Sequence, residues 1–251
     1  MLNVECWIDE KRGRAEEKKE RREEDGKVRS WEEKKMIAQP QQHPIFIFGA
    51  SGHAKVVIDL VEREGHYAIG GLFDDNQALW GQEVFGYQVL GGQEALNKHE
   101  IVLLIAIGDN TTRHRLSTVF QRQGFSFAQA THPSASISRG VTIGQGSVVM
   151  AGAVINADTN IGEHVIINTS ASVDHDCWIG DATHIAPGVH LCGGVTVGER
   201  TLVGAGATVI PNIKIGCDVV VGAGATVVND VPDYMMVIGT PARIFRQHKT
   251  P

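Results

Sequence analysis

This chain offers little for covalent or metal cross-linking. Its four cysteines, Cys6, Cys177, Cys192 and Cys217, show no C-x-x-C spacing. Neither a zinc knuckle nor a disulfide framework is indicated, and a reducing cytosol fits best. No apolar run approaches the roughly 18 residues a membrane span requires. A signal-peptide pattern is also missing, so the chain reads as soluble, cytoplasmic and without membrane insertion. A basic surplus is lacking as well. Residues 9–35 hold eleven Lys/Arg and ten Asp/Glu, whereas residues 44–251 hold twelve Lys/Arg and eighteen Asp/Glu. An acidic globular part has no positive stripe to neutralise phosphates, which argues against nucleic-acid partners.

What is present falls into three stretches of the 251 residues. Residues 1–43 mix charges densely with few apolar side chains, the composition of a disordered leader. From residue 44 to 131 short apolar runs alternate with helical patterns. Ile45-Phe46-Ile47-Phe48 leads into Gly49-Ala50-Ser51-Gly52-His53, and Val56, Val57, Leu60 and Val61 then follow at helical spacing. A second strand, Ala68 to Phe73, stops at Asp74-Asp75, and a third apolar run, Ile101 to Ile107, precedes a helix through Arg113, Leu116, Val119 and Phe120. This pattern predicts a small Rossmann-like α/β domain with a parallel sheet.

Residues 132–251 carry the strongest signal. An aliphatic residue recurs every six positions from Ile137 to Val227, and two residues before each one stands a small or compact side chain, Ala135 through Ala225. Glycine often follows the aliphatic position, at 144, 162, 180, 198, 204, 216 and 222, which suggests sharp turns or positive φ. A period of six suits neither a helix nor a hairpin meander and marks a parallel β-helix solenoid. Three hexads close one triangular coil, so residues 18 apart stack at the strand spacing of about 4.8 Å. The run predicts about five coils.

This register resembles the hexapeptide-repeat acyltransferases. Asn168-Thr169-Ser170-Ala171-Ser172-Val173-Asp174-His175-Asp176-Cys177, the closing Gly239-Thr240-Pro241-Ala242-Arg243 and the Gly-Ala-Ser-Gly-His turn narrow the likeness. They are similar to the family of bacterial sialic acid O-acetyltransferases and UDP-4-amino-sugar N-acetyltransferases. The resemblance implies a left-handed β-helix, a homotrimer and acetyl-CoA lying between subunits. It implies His175 as general base, with Asp176 orienting the imidazole. Relatives often have glutamate at that second position. It implies His184 as a contact to acetyl-CoA, Ala205 and Ala223 as lining of the CoA groove, and Asn168 as a polar active-site residue. In the first domain it implies a nucleotide-sugar site at Gly49, Ser51, Gly52, His53, Asp74 and Asp75.

The residues support that chemistry independently. An outward imidazole of ordinary pKa near 6.5 suits a base at neutral pH. Its register, two after inward Val173, points His175 out of the coil. The position one coil on, 175 + 18, is Gly193, which lets a ligand approach its backbone N–H closely; the resemblance implies that this position contacts the acetyl thioester, which makes Gly193 the oxyanion candidate. The strand-to-helix turn at Gly49 offers N–H groups to phosphate, although it is no Gly-x-Gly-x-x-Gly fingerprint. Cys177 sits at the small inward position and reads as core, while His164 and His190 read as solvated surface. No metal is expected. The leading expectation is N-acetylation of a nucleotide-linked, UDP-type amino-deoxysugar. The alternatives are O-acetylation of a sialic acid or other polysaccharide precursor, a γ-type carbonic anhydrase, whose close histidine pair is not reproduced here, and a non-catalytic solenoid module.

Overall fold

The computed structural model describes residues 43–96 and 101–247, so the charged leader expected over residues 1–43 lies, apart from His43, outside the described residues. From His43 onward the chain forms one unit. Its first part runs β1 (His43–Phe48), α1 (Gly52–Glu64), β2 (Tyr67–Phe73), a small hairpin of β3 (Glu83–Val84) and β4 (Tyr87–Gln88), then β5 (Val102–Ile105), α2 (Asn110–Arg122) and β6 (Ser126–Phe127). The sheet order is β2-β1-β5-β6 with every pairing parallel. Both faces of such a sheet are buried, which is why its strands read as unbroken apolar runs.

Helix α1 buries Ala54, Val57, Ile58, Leu60 and Val61. Val56, expected on that face, is 45% exposed; the stripe through 54, 57, 58 and 61 follows the i, i+3, i+4 rule and leaves residue 56 on the solvent side. Gly65 ends the helix in the left-handed region, its N–H bonded to the Val61 carbonyl. Helix α2 starts on Asp109, whose carboxylate accepts from the Thr112 N–H at 2.8 Å.

The second part is the expected solenoid. Strands β7 (Ala130–Thr131) to β23 (Thr226–Val227) are two residues long and fall on three parallel sheets, and up to Thr208–Val209 each pairs with the strand 18 residues on, as Val148–Val149 does with Ile166–Ile167. The faces begin at Ala130–Thr131, Ser136–Ile137 and Thr142–Ile143 and are termed first, second and third. The solenoid opens two residues before the boundary expected at 132, and its first face carries six of these strands rather than five. The missed strand holds Thr131 where the repeat has an aliphatic residue, so the pattern alone passed over it.

Both inward positions are buried from Ser147 to Val227. Ile137 and Ile143 are more open because no coil lies beneath them. Left-handed backbone recurs at every sixth residue from Gly140 to Gly224, three before each inward aliphatic residue. Aspartate, asparagine, serine, histidine, alanine and arginine share that position with glycine. The glycines that follow the aliphatic residues are therefore not there for positive φ. A Cβ on Gly144 would stand 2.6 Å from the backbone of Gly162, and one on Gly198 2.5 Å from that of Gly216. They are close-approach glycines that let successive coils touch at the corner.

Outward residues of the first face are apolar at the start. Val148 and Ile166 are 2% and 1% exposed and share one core with Ile45, Ile47, Val57 and Val61. The α/β part thus sits on the lower first face, and the next outward residue up that ladder is His184, paired beside Ile166.

Candidate active site

His175 lies at the corner between the second and third faces, just past Ser172–Val173. Its side chain is 60% exposed, and Nδ1 stands 2.7 Å from Asp176 Oδ2. Asp176 has φ 57°, a left-handed conformation aspartate tolerates better than most residues. A carboxylate only accepts, so Nδ1 carries the ring proton and Nε2 keeps its lone pair. The hydrogen bond to Asp176, and after it the charge of Asp174, raise the His175 pKa above its ordinary value. Asp174 Oδ1 accepts from Asn156 Nδ2 and from the His175 N–H, each at 2.9 Å. These two bonds hold Asp174 below the usual carboxylate range.

Gly193 sits one coil above. A Cβ there would lie 2.7 Å from both Cε1 and Nε2 of His175, so the imidazole itself demands the glycine. Gly194 N–H donates to the His175 carbonyl at 2.9 Å, while the Gly193 N–H has no partner among the described residues. Together with Asp174, Cys192, Pro211 and Asn212 they line a cleft of about 330 Å³. A lone pair, a free N–H and open space on one corner can deprotonate a nucleophile and steady a developing oxyanion.

A second cluster gathers on the first face. His184 Nε2 is 2.9 Å from Asn168 Nδ2, and the Gly108 carbonyl faces its ring. Burial first, then the charge of Arg113, lowers its pKa to about 4. The His53 ring centroid is 6.5 Å from that of His184. His53 is likewise lowered to about 4, by burial and then Arg113, and its buried Nε2 has no partner among the described residues. Ala205 and Ala223 are exposed on the corner between first and second faces, with Gly224 N–H donating to the Ala205 carbonyl at 2.8 Å.

The Gly49 turn stands at the C-terminal edge of the parallel sheet. Gly49 has φ 113°, and a Cβ would meet the Ala106 carbonyl oxygen at 2.7 Å. Asp74 fastens this turn, its Oδ2 accepting from the Ala50 N–H and its Oδ1 from the Asn76 N–H, both at 2.8 Å. Asp75 is held by Gln93 through the backbone N–H at 3.1 Å and the side-chain amide at 2.5 Å. Ser51 caps α1 without a side-chain bond, and the N–H groups of Ser51, Gly52 and His53 have no partner among the described residues. Free N–H groups at a helix start suit an anion.

Comparison with known proteins agrees with this layout. Residues 44–120 match the model of the PglD N-terminal domain, and residues 176–211 that of the bacterial transferase hexapeptide with six repeats. A mutant of perosamine N-acetyltransferase from Caulobacter crescentus, solved with CoA and GDP-perosamine, is 44% identical over 81% of this chain and 97% of that one, with a TM-score of 0.77. The chain belongs to the hexapeptide-repeat sugar acyltransferase family. The acetyltransferase domain of PglB from Neisseria gonorrhoeae is 37% identical, covering 81% of this chain and all of that one at a TM-score of 0.75. Among curated proteins, UDP-N-acetylbacillosamine N-acetyltransferase of Bacillus subtilis is 37% identical over 114 residues, 43% of this chain; the match spans 51% of that protein's length. As in this acyltransferase family, the solenoid is a left-handed parallel β-helix.

Within one acyltransferase chain the expected site residues form separate groups. His175, Asp176 and Gly193 share the second corner; Asn168, His184 and His53 meet at the first face; Gly49, Ser51, Gly52 and Asp74 form the turn. Sequence reasoning gave no site role to Asp174, Cys192, Pro211 and Asn212, although the 18-residue step from 174, 193 and 194 reaches the last three. It also passed over Arg113, which nothing local marks. His164, read as solvated, is 5% exposed and packs edge-on against Phe127 at 4.5 Å. Cys177 is in the core as expected, 1% exposed.

Proposed function

We propose that the protein is an acetyl-CoA-dependent N-acetyltransferase acting on the amino group of a nucleotide-linked amino-deoxysugar. The single observation that carries this reading is the imidazole of His175, held by Asp176 with Nε2 lying against Gly193. The sugar amine attacks the thioester carbonyl directly. Nε2 takes the proton that the attacking nitrogen loses, and the Gly193 N–H receives the oxyanion. Collapse of the tetrahedral intermediate expels the CoA thiolate, and His175 returns the proton to sulfur. No acyl-enzyme forms.

The Gly49 turn and the start of α1 would hold the nucleotide phosphates, with Asp74 and Asp75 beside the nucleoside. UDP is the nucleotide in this reading, as in the name of the Bacillus subtilis relative. A homotrimer is part of it. One protomer puts His175 on the second corner, but Asn168, Ala205 and Ala223 on the first. A three-fold assembly would set one corner against the other across a shared groove, so that both ends of acetyl-CoA are gripped. A cytoplasmic location would supply that donor.

The test is release of CoA with UDP- and GDP-linked amino sugars and free sialic acids as acceptors. Turnover with a UDP-amino sugar is expected. Turnover confined to GDP-amino sugars would move the nucleotide assignment, and turnover confined to sialic acid hydroxyls would overturn N-acetylation.

A further inference from the structure

Arg113 is 1% exposed, yet no carboxylate among the described residues bonds to it. A buried guanidinium bonded only to carbonyl and amide oxygens, with the charge of Asp109 too weak to offset its burial, is costly and calls for a reason. At the corner between the third and first faces, His164, Ala182 and Arg200 are left-handed, with φ of 55°, 53° and 57°. The coil-to-coil ladder there uses the carbonyls one residue earlier, as in Ala182 N–H to Glu163 and Arg200 N–H to Asp181. Helix α2 caps all three carbonyls that the ladder leaves over. Arg113 Nε donates to His164 at 2.8 Å and Nη2 to Ala182 at 2.7 Å, while Asn110 Nδ2 donates to Arg200 at 3.0 Å.

The remaining arm of the fork points back into the loop before α2. Arg113 Nη1 donates to the Ile107 and Gly108 carbonyls at 2.9 and 3.2 Å. The Gly108 carbonyl faces the His184 ring, and Arg113 Nη2 also reaches the carbonyl of Thr183, the residue before His184, at 3.3 Å. Asn168 Nδ2 is a donor, so the His184 proton sits on Nδ1, and Asn168 Oδ1 in turn accepts from the Thr169 N–H at 2.8 Å. We propose that Arg113 is a positioning residue. By pinning the Ala182 and Thr183 carbonyls just before His184, together with the Gly108 carbonyl that faces its ring, it sets the plane and tautomer of His184, and through Asn168 the corner on which Ala205 and Ala223 stack. The low pKa of His184 agrees, since a neutral ring keeps one fixed donor and one fixed acceptor.

The kinetic part of the test rests on the acetyl-CoA reading above; the spectroscopic part does not. Side-chain nitrogen NMR of the full-length histidine-labelled protein should show His184 as a single Nδ1–H tautomer, and Arg113→Met should turn it into a tautomer mixture. The acetyl-CoA KM should rise about ten-fold in Arg113→Met through lost orientation. In a His184→Ala background the same change should alter KM less than about two-fold, because coupled residues are not additive. Where Arg113→Met does not fold, Arg113→Lys, which keeps the charge and loses the fork, takes its place in the cycle. An unaltered His184 signature, or equal KM changes in both backgrounds, would overturn the proposal. A wild type that transfers no acetyl group would defeat the functional reading while leaving the tautomer result to judge Arg113.

Discussion

His175 stands on an open corner between Asp174 and Asp176, with its side chain 60% exposed, whereas His184, nine residues on, is half-buried with Arg113 and His53 as neighbours. The first is raised above its ordinary pKa by carboxylates and the second lowered to about 4 by burial and then a guanidinium. The two environments thus push the rings in opposite directions, the first toward holding a proton and the second toward releasing it. Both are outward residues of the same repeat, so what separates them is the company each keeps: the corner meets water and the first face meets the α/β part. In the proposed mechanism that difference in environment selects the base.

The sharpest way to break this contrast is to remove each ring in turn. His175→Ala should cut acetyl transfer by about 10²- to 10⁴-fold, the usual worth of a general base. His184→Ala should act mainly through the acetyl-CoA KM. Steady-state kinetics check both, and a larger kcat loss at His184 would reverse the assignment. Gly193→Ala comes next. Its Cβ would intrude on the His175 ring, and displacing that ring should lower kcat about 10- to 100-fold. Circular dichroism should stay unchanged.

Asp176→Asn probes the corner's electrostatics more gently. The His175 pKa should fall toward its ordinary value, so the acid limb of the kcat/KM profile should move to lower pH. About a ten-fold loss of kcat should accompany it as the weaker acceptor orients the ring less firmly. An unmoved acid limb would mean that another group limits the rate. Smallest is the effect of acid on stability. His53, His164 and His184 fold with pKa values of about 4 against 6.5 unperturbed. Their contribution is therefore complete above about pH 6.5 and is lost as pH falls toward 4. Urea midpoints should drop between pH 7 and pH 5, and His164→Phe should shrink that drop.

Much of the molecule could be read from the sequence because the solenoid obeys a local rule. Each hexad must place one aliphatic and one small residue inward, and the register from Ser147 to Val227 follows from that alone. The rule failed where a residue served a different neighbour. Thr131 took an aliphatic place at the uncapped end, and Val56 turned to solvent. The glycines after the aliphatic residues answered to the coil above and not to their own φ. In the site, the coil arithmetic brought Gly193 to His175, and the second-corner group was legible for that reason. The grouping of His53, His184 and Asn168 was not, because it depends on how the α/β part seats on the first face.

The amino-acid order by itself determined the coil, its register and the stacking of residues 18 apart, since a short strand with a left-handed turn repeats wherever its six residues repeat. Only the tertiary structure decided which histidine is acidic and which basic, and that Arg113 is buried. The carbonyls that receive Arg113 in the solenoid lie 51, 69 and 70 residues away in the chain. A pKa is set by the charges and the water within a few ångströms, and no local pattern records which distant segment will supply them.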